Sequence, residues 1–247
     1  MEPIKTFRKE QFIRTADCDL MSTWRPSAIL ETMQETAGEH CLNLGVSRMD
    51  LLPMGLVWII TRGEVVMDRY PIIGETITIE TSPMPVRRWF FPRYYLFKDA
   101  HGEIIGKAGS IWALLDLNSR HMVSPEAVIS RMPDNSDLIA PLPFPATVRD
   151  VDGTVTEETR FAQYTDLDAN CHVNNTKYLD WCCNALGVGT MQENVLSRFL
   201  INYNQEIRPG EEIQTALRRS GNEFSYTGIG SAGTCHFDIG GELRERQ

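Results

Sequence analysis

Apolar residues recur every three to four positions in two stretches of the chain and cluster or alternate in short runs elsewhere. In "RPSAILETMQETAGEHCLNLG", Ile29, Met33, Ala37, Cys41 and Leu44 fall on one side of a 3.6-residue period. This predicts a helix with one buried face, ended by Gly45. In "NNTKYLDWCCNALG", Tyr178, Trp181, Cys182 and Ala185 repeat the pattern and Gly187 supplies the stop. Strand-like runs follow each helix. After the first come "LVWIITRGEVVMD", "ETITIETS", "RRWFFPRYYLFKD" and "EIIGKAGSIWALLD"; after the second come "VLSRFLINYNQE", "EEIQTALRRS", "EFSYTGIGSAGTCHFD" and "ELRERQ".

The order of one helix and then several strands therefore occurs twice. Laying Asp19 over Asp166, each followed by Leu, gives an offset of 147; laying Gly74 over Gly210 gives 136, so the second copy is 11 residues shorter after its helix. A Pro-rich, weakly periodic stretch over 131–150 reads as a linker between a unit at 1–130 and a unit at 151–247. A long helix followed by antiparallel strands buries its apolar face when the sheet curls around it. The expected fold class is α+β, with two helix-in-sheet units packed as a pseudo-dimer.

Composition narrows the chemistry. The 247 residues are 42% hydrophobic and 23% charged, ordinary for a globular chain, with a formal net charge of −9. That balance argues against non-specific nucleic-acid binding, which needs dense Lys and Arg, and sends any acidic partner to a local basic patch. The six cysteines show no C-x-x-C spacing, so no zinc knuckle or dithiol redox site is expected. The first fifteen residues lack the apolar core of a signal peptide, and no run has the apolar length of a membrane span. A soluble, cytoplasmic protein is expected.

The densest polar chemistry is "TDLDANCHVNNTKYLDW", residues 165–181. Asp168, Asn170 and His172 alternate with Ala169 and Cys171, so in an extended segment the three polar groups share one side. A carboxylate, an amide and an imidazole beside a helix start provide a proton acceptor, a positioning group and oriented N–H donors. The competing interpretation makes Asn174 or Asn175 a helix cap, Asp166 or Asp168 an Asx turn, and His172 an ordinary half-buried imidazole. At the 147 offset the first copy carries Met21, Thr23 and Arg25 instead. Both copies need a cap, so the contrast favours an active site in the second copy and a degenerate first copy. Cys171, facing away from its neighbour His172, is expected to be a small packing residue, and Cys182 and Cys183 core. His40, His101, His121 and His236 are expected to be structural, and Glu206 on its own is a strand-end charge.

The blocks "DLDANCHVNNTKYLDW", "VWIITRGEVVMDRYPIIGETITIET", "LDLNSRHMVSPEAVISRMP" and "INYNQEIRPGE" together resemble the acyl-acyl carrier protein thioesterases, the family of the plant plastid enzymes and their bacterial relatives. The resemblance runs in order across nearly the whole chain and implies a tandem, or double, hotdog fold. It also implies a site made by Asp168, Asn170, His172 and Glu206. The plant enzymes carry a cysteine directly after the glutamate, where this chain has Ile207, so a carboxylate-assisted water replaces a thiol nucleophile. Either Asp168 or Glu206 would be the base, and the helix start near Asn174 and Asn175 would stabilise the oxyanion. No metal or organic cofactor is called for.

The implied partner is an acyl carrier protein bearing a fatty acyl phosphopantetheine thioester. Arg87 and Arg88, or Arg218 and Arg219, are candidates for docking it. The acyl chain would lie between a helix and its sheet, with Met33, Leu56, Trp58, Ile60 or Trp112 as candidate walls. An acyl-CoA thioesterase, a 3-hydroxyacyl thioester dehydratase and a non-catalytic acyl-thioester sensor are the alternatives. The tandem layout suits a monomer as well as a homodimer. The absence of a transit extension fits a bacterial cytoplasmic relative, and "GGELRERQ" suggests a short final strand or a few missing residues.

Overall fold

The first helical pattern folds as α1 (Pro26–Leu44) in the computed structural model, which describes residues 3–246. Pro26 starts it where its missing N–H costs nothing, and Gly45 ends it at φ 67°. The Val46 amide reaches back to the Cys41 carbonyl at 2.9 Å, closing the last turn. Around α1 the first half supplies β1 (Phe7–Phe12), the one-turn α2 (Arg48–Leu51), β2 (Leu56–Met67), β3 (Thr76–Pro83), β4 (Phe90–Lys98), β5 (Ile104–Asp116), β6 (Met122–Val123) and the short α3 (Glu126–Ile129). The second half has β7 (Thr154–Phe161), α4 (Lys177–Leu186), α5 (Val188–Glu193), β8 (Asn194–Tyr203), β9 (Glu212–Ser220), β10 (Glu223–Gly230) and β11 (Cys235–Glu245).

All neighbouring strands are antiparallel, in the order β1-β3-β4-β5-β2-β8-β11-β10-β9-β7, with β6 beside β5. The halves fuse where β2 meets β8, from Arg62 opposite Asn202 to Val66 opposite Arg198. Both helices lie on one face of this continuous sheet. Ile29 and Met33 of α1, Tyr178 and Cys182 of α4, and Val65, Phe199, Ile239 and Phe237 of the strands form one buried cluster. This is the double hotdog arrangement, and this cluster, drawn from both halves, packs them against each other; a second, smaller cluster around Leu51 and Phe91 lies within the first half. The helices also touch directly, through Ser27 on Asp180, and Thr176, just before α4, bonds Glu31 of α1.

Three expectations about elements need correction. "EFSYTGIGSAGTCHFD" is not one strand: Gly230, Ser231, Ala232 and Gly233 turn the chain between β10 and β11. "ELRERQ" is not a separate strand either; its first four residues finish β11, which pairs with β8 as far as Glu245 opposite Asn194. At 11 residues against 13 for β5, the final strand is not short. The edge strands β1 and β7 had no counterpart among the expected runs. β7 is "TVTEETRF" and almost fully exposed, so it shows no apolar face; charged edges of this kind resist pairing with other chains.

The 131–150 stretch has no helix or strand, yet it is anchored along its length. The Asn135 side chain is fully buried and donates to the Lys5 and Pro83 carbonyls at 2.9 and 2.7 Å. Tyr94 donates to the Pro143 carbonyl, while its neighbour Arg93 points the other way, toward α1. Its start, at Arg131 and Met132, stays on the α1 side, while Leu138 to Pro143 cover the face of the sheet opposite the helices. Among the described residues no helix is long and apolar enough to cross a membrane.

Candidate active site

The polar block is a tight loop, not an extended segment. Leu167 and Val173 pair as an isolated bridge, and between them the Asp168 amide donates to the His172 carbonyl at 2.9 Å. The Cys171 amide donates to the Asp168 carbonyl, and Cys171 itself takes the left-handed corner at φ 60°. Asp168 organises the loop through Oδ1, which accepts the amides of Asn170 at 2.7 Å and His172 at 3.4 Å. Cys171 is exposed at the corner, so it is not the packing residue that alternation implied. A short carboxylate accepting nearby amides outcompeted the extended conformation.

The first half repeats this loop atom for atom. The Asp19 amide donates to the Thr23 carbonyl, Ser22 takes φ 61°, and Asp19 Oδ1 accepts the amides of Met21 and Thr23 at 2.9 and 3.0 Å. The structural offset is therefore 149, with Asp168 over Asp19, and not 147. The Asp-Leu pairs misled because the chain reads Asp17-Cys18-Asp19 in one half and Asp166-Leu167-Asp168 in the other. Met21 and Thr23 stand where the second half has Asn170 and His172. The 136 offset holds farther on: the Trp24 amide meets the Pro71 carbonyl as the Val173 amide meets that of Ile207, both at 2.9 Å. Tyr70 is thus the counterpart of Glu206. The carboxylate of the loop is common to both halves, and the imidazole, the amide and Glu206 are what the second half adds.

Glu206 approaches because the Ile207 carbonyl is tied to Val173. Its Oε1 lies 3.5 Å from His172 Nε2 and 3.0 Å from Arg208 Nη2. His236, 4% exposed, binds the Glu206 carbonyl through Nδ1 at 3.1 Å and so steadies the backbone here. Ile207 is fully buried, so the position after the glutamate belongs to the core. Burial pushes the Cys183 thiol up to about 12 and Cys182 well above its ordinary value, which keeps both α4 thiols protonated.

Arg48, on α2 of the first half, donates from Nη2 to Asn170 Oδ1 at 3.1 Å, while Asn170 Nδ2 donates to Asp168 Oδ2 at 3.2 Å. The amide of Asn170 is thereby oriented from both sides. Nothing in the sequence around Arg48 marked it; only a contact across 122 positions does. Asn174 acts locally: its Oδ1 accepts the Thr176 amide and hydroxyl at 3.0 and 2.9 Å, and its carbonyl accepts the Lys177 amide. It shapes the helix start and takes two amides out of play, while Asn175 lies half-buried in the same turn.

Arg48 also stands on the wall of a cavity between α1 and the sheet, along with Trp58, Phe91, Trp112 and Met132. The indole N–H groups of Trp58 and Trp112 are bonded to the Val46 carbonyl and Ser110 Oγ, leaving the rings as apolar lining. Of the other candidate walls, Met33 and Leu56 are buried in the core and Ile60 is not on the lining. Arg87 and Arg88 sit exposed in the β3–β4 hairpin, with Arg87 over the Phe144 ring. Arg218 and Arg219 are half-buried on β9 and face Asp150 and Thr190. Among the described residues no group of three or more His, Cys, Asp and Glu side chains could hold a metal ion.

Comparison with known proteins agrees with this arrangement. Residues 4–130 match the acyl-ACP thioesterase N-terminal domain and residues 152–239 the acyl-ACP thioesterase C-terminal domain. The palmitoyl-acyl carrier protein thioesterase of Arabidopsis thaliana is 25% identical over 229 residues, covering 87% of this chain and 55% of its own length. The dodecanoyl-[acyl-carrier-protein] hydrolase of Cinnamomum camphora is 25% identical over 87% of this chain and 60% of its own. This chain thus spans little more than half of these plant relatives. Two solved structures share the fold over nearly their whole length: an acyl-ACP thioesterase from Bacteroides thetaiotaomicron (TM-score 0.88, 21% identity, 97% of this chain and 98% of that one) and the 12:0-ACP thioesterase from Umbellularia californica (TM-score 0.81, 22% identity, 98% of each). With both of its halves matched in order, the chain belongs to the acyl-ACP thioesterase family.

Proposed function

We propose that this protein hydrolyses the thioester between a fatty acyl chain and the phosphopantetheine of an acyl carrier protein, releasing free fatty acid. The observation that carries this reading is the bond from Arg48 to Asn170. It joins an apolar cavity in one half to the carboxylate, amide and imidazole of the other. A chain in that cavity has its reacting end at the polar loop. The names of the plant relatives supply the carrier protein as the substrate's other half.

Glu206 is assigned as the base. Both oxygens of Asp168 are engaged, Oδ1 by two loop amides and Oδ2 by Asn170, and Asp19 does the same work where there is no imidazole. Glu206, paired with His172, takes a proton from water, and the water oxygen bonds to the thioester carbon. Donors left over on the Asn170 amide and the Arg48 guanidinium stabilise the tetrahedral oxyanion. The carbon–sulfur bond then breaks, and the proton held at Glu206 passes through His172 to the leaving sulfur. Asn174 and Asn175 position the helix start and are given no chemical step. Arg48 and Arg208 lie nearest the reacting end and extend the docking candidates beyond Arg87 and Arg88. The pairing surface already present between the halves suits a monomer.

The test is fatty-acid release from matched acyl-carrier-protein and acyl-CoA thioesters of several chain lengths. Release from the carrier form should be faster by about tenfold or more, a difference of about 1.4 kcal/mol in transition-state binding. Preference for CoA moves the assignment to an acyl-CoA thioesterase, and no release from any thioester replaces catalysis with binding. Arg48→Ala should lower kcat by about tenfold to a hundredfold, the worth of a charged hydrogen bond. Its thermal midpoint should not move, because the residue is exposed.

A further inference from the structure

The cavity under α1 is mostly apolar, but besides Ser47 and Arg48 its lining includes two further polar side chains, Arg93 and Gln34. Arg93, on β4, is 4% exposed and lines it. Among the described residues no carboxylate lies within 4 Å of its guanidinium. Its partners are neutral: His40 Nδ1 at 3.0 Å, Thr81 Oγ1 at 3.3 Å and Cys41 Sγ at 3.8 Å. His40 is held in its uncharged form, since burial and the Arg93 charge lower its pKa to about 4, and its Nε2 donates to the Ile4 carbonyl. Burial likewise raises the Cys41 thiol, so no thiolate faces the guanidinium.

Gln34 of α1 lines the same cavity, and its Nε2 is buried with no hydrogen-bond partner. Both groups are donors: Arg93 has neutral partners but no counter-ion among the described residues, and Gln34 Nε2 has no acceptor. A buried cation lacking a counter-ion, next to an unpaired amide N–H, is unfavourable in isolation and strongly favours an anionic oxygen ligand. The aromatic and methionine walls suit an aliphatic chain for the rest of that ligand. We propose that this cavity binds an aliphatic carboxylate, with its oxygens on Arg93 and Gln34.

Two sources fit. One is a free fatty acid entering head first, which would occupy the acyl cavity as an inhibitor. The other is an acyl chain with a second carboxylate at its far end, its thioester lying at the loop of Asp168 and His172. The proposal rests on the reading that the cavity receives the acyl chain, but its test involves no turnover.

The measurement is equilibrium binding of decanoate, 1-decanol and decanedioate to the full chain by titration calorimetry at neutral pH. Decanoate should bind at least about tenfold more tightly than 1-decanol, as expected for charge-assisted hydrogen bonds in a dry site. Arg93→Met, confirmed folded by circular dichroism, should reduce that advantage to less than about threefold. Decanedioate binding more tightly than decanoate assigns the far-end carboxylate, and the reverse order assigns the free acid head.

Equal affinity for acid and alcohol in the parent overturns the proposal, as does an undiminished acid preference in folded Arg93→Met. If that variant does not fold, Gln34→Leu decides: it should weaken decanoate at least about threefold and leave 1-decanol unchanged, and no effect on decanoate overturns the assignment. A chain that shows this binding but hydrolyses no thioester would fail as an esterase and still support the carboxylate site.

Discussion

Glu206→Gln is expected to lower kcat for thioester hydrolysis by about 10² to 10⁴, the usual contribution of a positioned general base, with a small change in KM. The amide is the same size as the carboxylate and Glu206 is 40% exposed, so the fold should be unaffected. The comparison that gives this meaning is Asp168→Asn. Asparagine keeps a side-chain oxygen for the amides of Asn170 and His172, so the loop survives, while the acceptor for Asn170 Nδ2 is lost. A loss of about tenfold is expected there, the lower end for one hydrogen bond to a charged group. Single-turnover rates of the two variants on one carrier-bound substrate settle the matter. Equal or greater damage from Asp168→Asn would make Asp168 the base and Glu206 its support.

Phe237→Ala should cost about 3 to 5 kcal/mol of stability, the range for removing a fully buried ring from a close-packed core. Phe237 is 0% exposed. Its ring stacks on Tyr178 at 4.5 Å between centroids with 12° between planes, and Trp181 and Tyr226 meet it at 6.2 and 5.6 Å. Across β10 it overlies Gly228, where a Cβ would collide with the ring. Collapse into the space is limited, because the surrounding groups are themselves large aromatic rings fixed on a helix and a neighbouring strand. Tyr178 and Trp181 belong to the first turns of α4, so the loss also loosens the helix that follows the loop of Asp168 and His172. Urea unfolding should show a lower midpoint with an unchanged slope. A midpoint equal to the parent's would mean that the aromatic cluster adds nothing to the fold.

Local sequence proved sufficient where neighbours in the chain decide the outcome. The spacing of Ile29, Met33 and Ala37 marked α1, Gly45 and Gly187 marked helix ends, and both hold in the structure. The pairing of Gly74 with Gly210 also holds, because both occupy turns at positive φ, 85° and 82°. The loop was harder to read. Alternation of polar residues over 168–172 looks extended on paper, yet Asp168 captures two amides within four residues and bends the chain. The choice between Asp166 and Asp168 as the partner of Asp19 depended on those same bonds.

By itself the sequence determined two helix-and-strand units, their order, the half that holds the imidazole, and the exclusion of a thiol after Glu206. These follow from residue types and short spacings, which act through local hydrogen bonds and periodic burial. Tertiary structure alone decided the rest: that β2 and β8 join the halves into one sheet, that Arg48 reaches Asn170 from the other half, that Glu206 meets His172, and that Arg93 is buried facing no carboxylate among the described residues. Each of these depends on groups far apart in the chain, and a linear pattern does not record which distant charges remain unpaired once the core has closed.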